Sequence, residues 1–387
     1  MNKLVTPDLI PEQTFSSKMQ NQIPIYTTYI HPSAQKIVAE TLSSTYISEG
    51  KKVKQFEEEL SQKLGLVNPV ALNSGTSALH LAIVLAGIGE GDEVICPAQT
   101  FVASALVIIQ QGAKPVFADV QYQTGNIDPA SIKEKITERT KAIICVHWAG
   151  LPCDMDEIHA IAKEHNLIVV EDAAHAPGAT YKGKFVGSMS DYTCFSFQAI
   201  KHVTTGDGGA IACLDNEKTK EAFTRRWFGI DRASSSTSIL GERQYNISML
   251  GFKYHLNDYG AALGIANLTD IEQRLLWLRA AAKRYGEALK NVAGIQLWNC
   301  PVDRESAWWL FGLHVENRLN FIKAMADRNI TASVIHQRID RNSVFGGIDE
   351  SLINQKKFDE TQVHIPLHSG MNDAQVDEVI NAIKKGW

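Results

Sequence analysis

Between residues 70 and 172 the chain alternates short, uninterrupted apolar runs with stretches of helical periodicity. The apolar runs fall at 70–72, 93–96, 115–118, 142–146 and 167–170, and the helical stretches at 78–86, 101–110, 129–136 and 154–165. A strand that is apolar at every position must be buried on both faces, which a parallel sheet sandwiched between helices provides. Short strand–helix links then impose right-handed crossovers and leave few topologies. This stretch therefore predicts an α/β fold, with a large domain built on a mostly parallel central sheet covered by helices.

The flanking segments read differently. The first 30 or so residues show no sustained periodicity and are expected to form an N-terminal arm, followed by amphipathic helices at 33–42 and 52–64 around a loop at 43–50. After residue 195 the alternation loosens: 209–213 reads as a strand turning back, 216–227 as a helix, and 243–259 as a loop rich in aromatic, basic and Asn residues. A long helix at 273–292 leads into strands at 295–297, 308–315 and 331–336 and helices at 319–328 and 373–385, a smaller C-terminal α+β domain. A length of 387 residues is more than one small core can hold. The expected division is 1–30, the arm; 31–270, the large domain; and 271–387, the linking helix with the small domain.

Several function classes drop out. A net charge of −5 argues against nucleic acid as a partner, which calls for a basic stripe. No apolar run reaches the length of a membrane span, and residues 1–22 lack the apolar segment of a secretory signal, so a cytoplasmic protein without membrane contact is expected. The six cysteines form no C-x-x-C pair, and four of them sit in apolar runs; buried free thiols are expected, with no metal and no disulfide.

Three places carry chemistry. Asn73-Ser-Gly-Thr-Ser77 lies between a strand and an apolar helix, where free N–H groups and hydroxyls make a phosphate cradle; alone, it is more often a plain N-cap. Glu171-Asp172 closes an apolar strand, so at least one carboxylate enters a low-dielectric site and needs a cationic partner. Phe195 to Gly209 sets Lys201 between an apolar run and a glycine-rich turn. A phosphate cradle, an acid at a strand end and a lysine beyond another strand are the three parts of a Schiff-base site for pyridoxal 5′-phosphate (PLP).

Taken in order, Asn73-Ser-Gly-Thr-Ser77, Glu171-Asp-Ala-Ala-His175, Ser196-Phe-x-x-x-Lys201 and Gly206-Asp-Gly-Gly209 resemble the DegT/StrS-type sugar aminotransferases, PLP enzymes of the aspartate-aminotransferase fold type. The resemblance runs from about Ile25 to the end. It implies that Lys201 binds the cofactor and shuttles the proton, and that Asp172 pairs with the pyridine nitrogen. It further implies that Gly75, Thr76, Ser77 and Ser196 hold the phosphate, that Phe101 stacks on the ring, and that His175, often Gln in the family, meets the ring hydroxyl. Asn257 matches a residue that reaches the phosphate from the neighbouring subunit, which implies a homodimer with shared sites. The implied substrates are an amino-acid donor, L-glutamate, and a nucleotide-linked keto-deoxysugar, a 4-keto-6-deoxy sugar first and a 3-keto sugar as the alternative.

Two departures matter. Some relatives are sugar dehydratases with His in place of the Schiff-base lysine, and here Lys201 and His202 are adjacent; the spacing from Ser196 selects Lys201 and favours transamination. At the substrate end, Glu49, Trp148, Lys253, His255 and His336 are candidate contacts. Arg338 and Arg341 are close enough together to grip a diphosphate; a solvated loop is the equal alternative.

Overall fold

The computed structural model describes residues 22–232 and 235–387. The part of the expected arm at 1–21 lies outside the described residues.

The central sheet contains seven strands: Pro69–Leu72 (β1), Glu93–Pro97 (β2), Lys114–Ala118 (β3), Thr140–Val146 (β4), Ile168–Asp172 (β5), Tyr192–Ser196 (β6) and Gly209–Cys213 (β7). Their spatial order is β1-β7-β6-β5-β4-β2-β3, and every pairing is parallel except those made by β7. The carboxyl ends of β1, β2, β4, β5 and β6 therefore share one edge, where open α/β sheets place ligands.

Burial on both faces explains the continuous apolar runs. Helices Ala34–Ser43 (α1) and Lys51–Leu64 (α2) precede Gly75–Leu85 (α3). Val94 and Cys96 pack with Leu79 and Leu81 of α3 and Ile108 of Ala103–Gln110, whereas Ile95, Ile143 and Val169 point the other way onto Ile158 and Ile161 of Met155–His165. Beneath β1, β6 and β7, Ala71, Phe195 and Ala210 meet Phe56 and Leu60 of the amphipathic helix Lys51–Leu64 and Ile265 of Asp258–Leu268. Each large aliphatic side chain buried in this way contributes roughly 1.5–3 kcal/mol, and together they support polar strand ends at the shared edge.

A second core lies under a three-stranded antiparallel sheet of Ile295–Leu297, Phe311–Val315 and Gln362–Ile365, packed on the long helix Ile271–Leu289 and on Asp373–Lys384. Here the sequence reading needs correction. No strand forms at 331–336; only Ser333 bridges to His364, and the third strand is Gln362–Ile365 instead. The helices Asp258–Leu268 and Ile353–Thr361 were not foreseen.

Candidate active site

At the shared strand edge a cavity of about 380 Å³ is lined by Gly75, Thr76, Phe101, Asp172, His175, Ser196 and Lys201, with Trp309 and His336 from beyond the central sheet. The two carboxylates closing β5 divide their work, because successive strand residues face opposite ways. Glu171 is fully buried and satisfied inside the sheet: its Oε2 lies 2.7 Å from His147 Nε2, and its Oε1 accepts the Thr193 hydroxyl at 3.1 Å. His147 Nδ1 accepts the Cys153 N–H at 3.1 Å, so the ring proton sits on Nε2 and is donated to Glu171. Asp172 alone reaches the cavity. Its Oδ2 accepts the Ser104 hydroxyl at 2.7 Å, and its Oδ1 accepts the Ala174 N–H at 3.2 Å. Burial raises its pKa, and these two donors and then the charge of Lys201 oppose that rise.

Lys201 is carried on the 197–208 loop joining β6 to β7. Desolvation lowers its pKa to about 7 against the opposing pull of Asp172. A neutral, nucleophilic amine is therefore well populated near neutral pH. The adjacent His202 is directed elsewhere: its Nε2–H donates to the Ala307 carbonyl at 2.8 Å, and it does not line the cavity. The lysine, not the histidine, occupies the site.

The N-terminus of α3 closes the opposite side. Ser74 caps the helix by accepting the Ser77 N–H at 3.0 Å, and the Ser77 hydroxyl donates to Asn73 Oδ1 at 2.6 Å. Ser77 thus braces the cradle, while Gly75 and Thr76 face the cavity. A Cβ on Gly75 would stand 2.8 Å from the Ser196 Cβ, and one on Gly209 only 2.4 Å from the Ser74 carbonyl. Glycine at these two positions lets β6 and β7 pack directly against the cradle, an approach that a side chain would block.

Phe101 is 53% exposed and leans against His336, with ring centres 5.4 Å apart. His175 is held well below its usual pKa by burial and by Lys201, and its buried Nδ1 has no hydrogen-bond partner among the described residues. Burial, then Lys201, lowers the pKa of His336 to about 4. An acid at one end, an orphaned imidazole nitrogen, a lysine and an anion cradle around one cavity fit PLP, an aromatic heterocycle with a hydroxyl and a phosphate.

The remaining candidates lie elsewhere. Trp148 is fully buried behind His175 at 5.5 Å. Glu49 pairs with Arg226 at 2.7 Å and with Arg232 at 3.4 Å, and the Trp227 ring beside them touches His255 at 4.2 Å and Lys253 at 5.4 Å. Asn257 caps Asp258–Leu268 through the Gly260 N–H. None of Glu49, Lys253, His255 and Asn257 lines the cavity. Arg338 does not offer a free guanidinium to a diphosphate, because it forms a two-point pair with the fully buried Asp340 at 2.7 and 2.5 Å. Arg341, bonded to Gln337, faces a groove of about 650 Å³ on the far side of Phe101. Ser104 and Trp309 were not foreseen: Ser104 carries no motif, and Trp309 reaches the site only through tertiary contacts.

Comparison with known proteins places this geometry. The DegT/DnrJ/EryC1/StrS aminotransferase family model matches residues 28–384. A GDP-perosamine synthase of Caulobacter vibrioides is 33% identical over 89% of this chain and 93% of its own. The sugar aminotransferase CalS13 of Micromonospora echinospora superposes with a TM-score of 0.90 at 32% identity, covering 94% of this chain and all of its own. The PLP form of Spr1654 from Streptococcus pneumoniae, described as a sugar aminotransferase, superposes at 0.86 and 31% identity over 94% of this chain and 98% of its own.

Proposed function

Since the chain belongs to the DegT/DnrJ/EryC1/StrS aminotransferase family and is a PLP-dependent aminotransferase, we propose that it moves the amino group of L-glutamate to the C4 keto carbon of a nucleotide-linked 6-deoxy sugar. The convergence of Lys201, Asp172 and the α3 N-terminus on one cavity supports the reading. The nucleotide-sugar class draws on the GDP-perosamine synthase among the relatives.

The bound cofactor supplies an electron sink that acidifies the carbon bearing the amine. Everything else falls to side chains. Asp172 would accept the pyridine N–H and keep the ring nitrogen protonated. Lys201, whose pKa of about 7 leaves its amine partly neutral near pH 7, would be the amine that binds the cofactor and the base that moves the proton. Gly75, Thr76 and Ser196 would hold the phosphate, His175 would meet the ring hydroxyl through Nδ1, and Phe101 would cover the ring face. Asn257 of the partner subunit would complete the phosphate site in a cytoplasmic homodimer, and Glu49, Lys253 and His255 are proposed substrate contacts. His336 and Arg341 line the approach past Phe101.

The test is amino transfer with purified protein, PLP and L-glutamate, using UDP-, TDP- and GDP-linked 4-keto-6-deoxy sugars and a 3-keto sugar. Mass spectrometry should show the amino sugar together with 2-oxoglutarate. Amination of the 3-keto sugar alone would move the position of attack. Loss of water without amine incorporation would replace transamination with dehydration.

A further inference from the structure

Lys201 rests on an aromatic surface that none of the four motifs contains. Its Nζ lies 3.6 Å from the centre of the Trp309 ring. The same indole stacks on His175 with ring centres 3.8 Å apart and planes 14° from parallel. Its Nε1–H donates to the Ile200 carbonyl at 3.1 Å, which ties the ring to the residue preceding the lysine. On the other side of the lysine, the Ala307 carbonyl accepts a hydrogen bond from His202 Nε2–H at 2.8 Å. Residues 307–309 therefore grip 200–202 at both ends.

The grip is itself anchored. Ala307 N–H donates to the Gly150 carbonyl at 3.0 Å. Gly150 has a φ of +100°, and a Cβ there would stand 2.8 Å from the Trp308 nitrogen and 2.9 Å from the His175 carbonyl oxygen. The segment leading into strand Phe311–Val315 is thus fixed against the turn after β4, and Trp309 is only 4% exposed. A face-on indole also attracts a cation through its quadrupole, an interaction that a desolvated site strengthens.

We propose that Trp309 is the positioning residue of Lys201: its indole face seats the amine and favours its protonated form, and its N–H fixes the backbone from which the amine is presented. The proposal rests on the reading of Lys201 as the cofactor-binding lysine. Asp172, Asp207, His175 and His336 face the amine's main cavity, and Tyr26, Tyr29, His202, Arg274 and His368 border the small cavity of about 30 Å³ behind it. Substitution at 309 removes none of these groups, and His175, whose stacking partner the apolar variants delete, is kept neutral by burial, which holds it well below its usual pKa.

Competitive acetylation of the cofactor-free protein, with Lys201 quantified by peptide mass spectrometry, reads the titration midpoint of the amine without any turnover. Trp309→Phe keeps an aromatic face, whereas Trp309→Leu and Trp309→Met remove it; all three are smaller than Trp and admit similar water. The Phe variant should titrate about half a unit or more above both apolar variants. Two apolar replacements keep the comparison available if one does not fold by circular dichroism. Equal midpoints, or apolar variants titrating above Phe, would overturn the proposal, because the indole would then act only by excluding water. A failure of the underlying reading is separable: Lys201→Ala would then bind PLP with the wild-type visible spectrum, whatever the midpoints are.

Discussion

Holding a lysine amine in this cavity has a thermodynamic cost that one substitution should expose. In the cofactor-free protein the Lys201 pKa falls from 10.5 to about 7, chiefly through desolvation. At about 1.36 kcal/mol per unit, the shift corresponds to an upper figure of about 5 kcal/mol lost when the charged amine is folded into the site. Two effects reduce it. Lys201 is not fully enclosed, so solvent screens part of the penalty. Removing it also takes a favourable charge from Asp172, whose own burial disfavours ionisation. Lys201→Met, similar in length and uncharged, should therefore stabilise the cofactor-free protein by roughly 2–4 kcal/mol at pH 6.5.

The pH dependence is the sharper part. The folded-state pKa lies below the unfolded one, so the penalty is complete below about pH 7, shrinks as the pH rises towards 10.5, and vanishes above it. Wild-type stability should climb towards that of the Met variant across this window. Equilibrium urea unfolding of both cofactor-free proteins, at one protein concentration and at pH 6.5, 8 and 9.5, measures the gap. A Met variant no more stable than wild type at pH 6.5, or a gap that does not narrow by pH 9.5, would refute the claim that the site strains the lysine.

Other consequences are local. Gly209→Ala drives a Cβ into the Ser74 backbone, which cannot yield, and should weaken PLP binding at least tenfold by absorbance titration, whereas Gly206→Ala, in open space at a φ of +88°, should cost only about 1 kcal/mol of stability and leave binding unchanged. Ser104→Ala removes a donor to Asp172, raises the proton affinity of that carboxylate, and should move the acid limb of PLP binding to higher pH. Asp340→Ala strands the guanidinium of Arg338 and should cost roughly 3–5 kcal/mol in urea unfolding, while the spectrum of the bound cofactor stays as in wild type.

What could be read from the sequence follows the range of the forces involved. The central sheet was legible because burial on both faces leaves a one-dimensional mark: β2, β4 and β5 each contain an unbroken apolar run, at 94–96, 142–146 and 168–170. Lys201, Asp172 and the α3 cradle were legible because each lies at a strand end or in the loop that follows one, inside its own short motif. Asp258–Leu268 escaped because it is buried almost all round and shows no stripe, and Ile353–Thr361 because its buried positions include only Gln355 and Phe358. Neither reading of Arg338, diphosphate contact or solvated loop, includes its pairing with the buried Asp340 two residues away, which charge counting cannot distinguish from a free cation. Trp309 reads as the start of a strand; its contacts with Lys201 and His175 exist only once two distant segments pack together.

The antiparallel strand β7 shows how little chain joins these parts. Its pairing with β6 sets Ser196 opposite Gly209 and so closes the 197–208 loop that carries Lys201. Its pairing with β1 sets Gly209 opposite Leu72, immediately before the cradle. One glycine thus touches both the root of the lysine loop and the backbone of the anion site. Because side chains alternate along a strand, a one-residue slip at β7 would swap the residues packed on its two covered faces, Ala210 and Ala212 for Ile211 and Cys213, and put a Cβ-bearing neighbour where only Gly209 fits. Residues 307–309 then hold the middle of the loop against the turn after β4. The lysine is consequently located by strand register at the ends of its loop and by a distant clamp at the centre, which is why a side chain so costly to bury can still be aimed at Asp172.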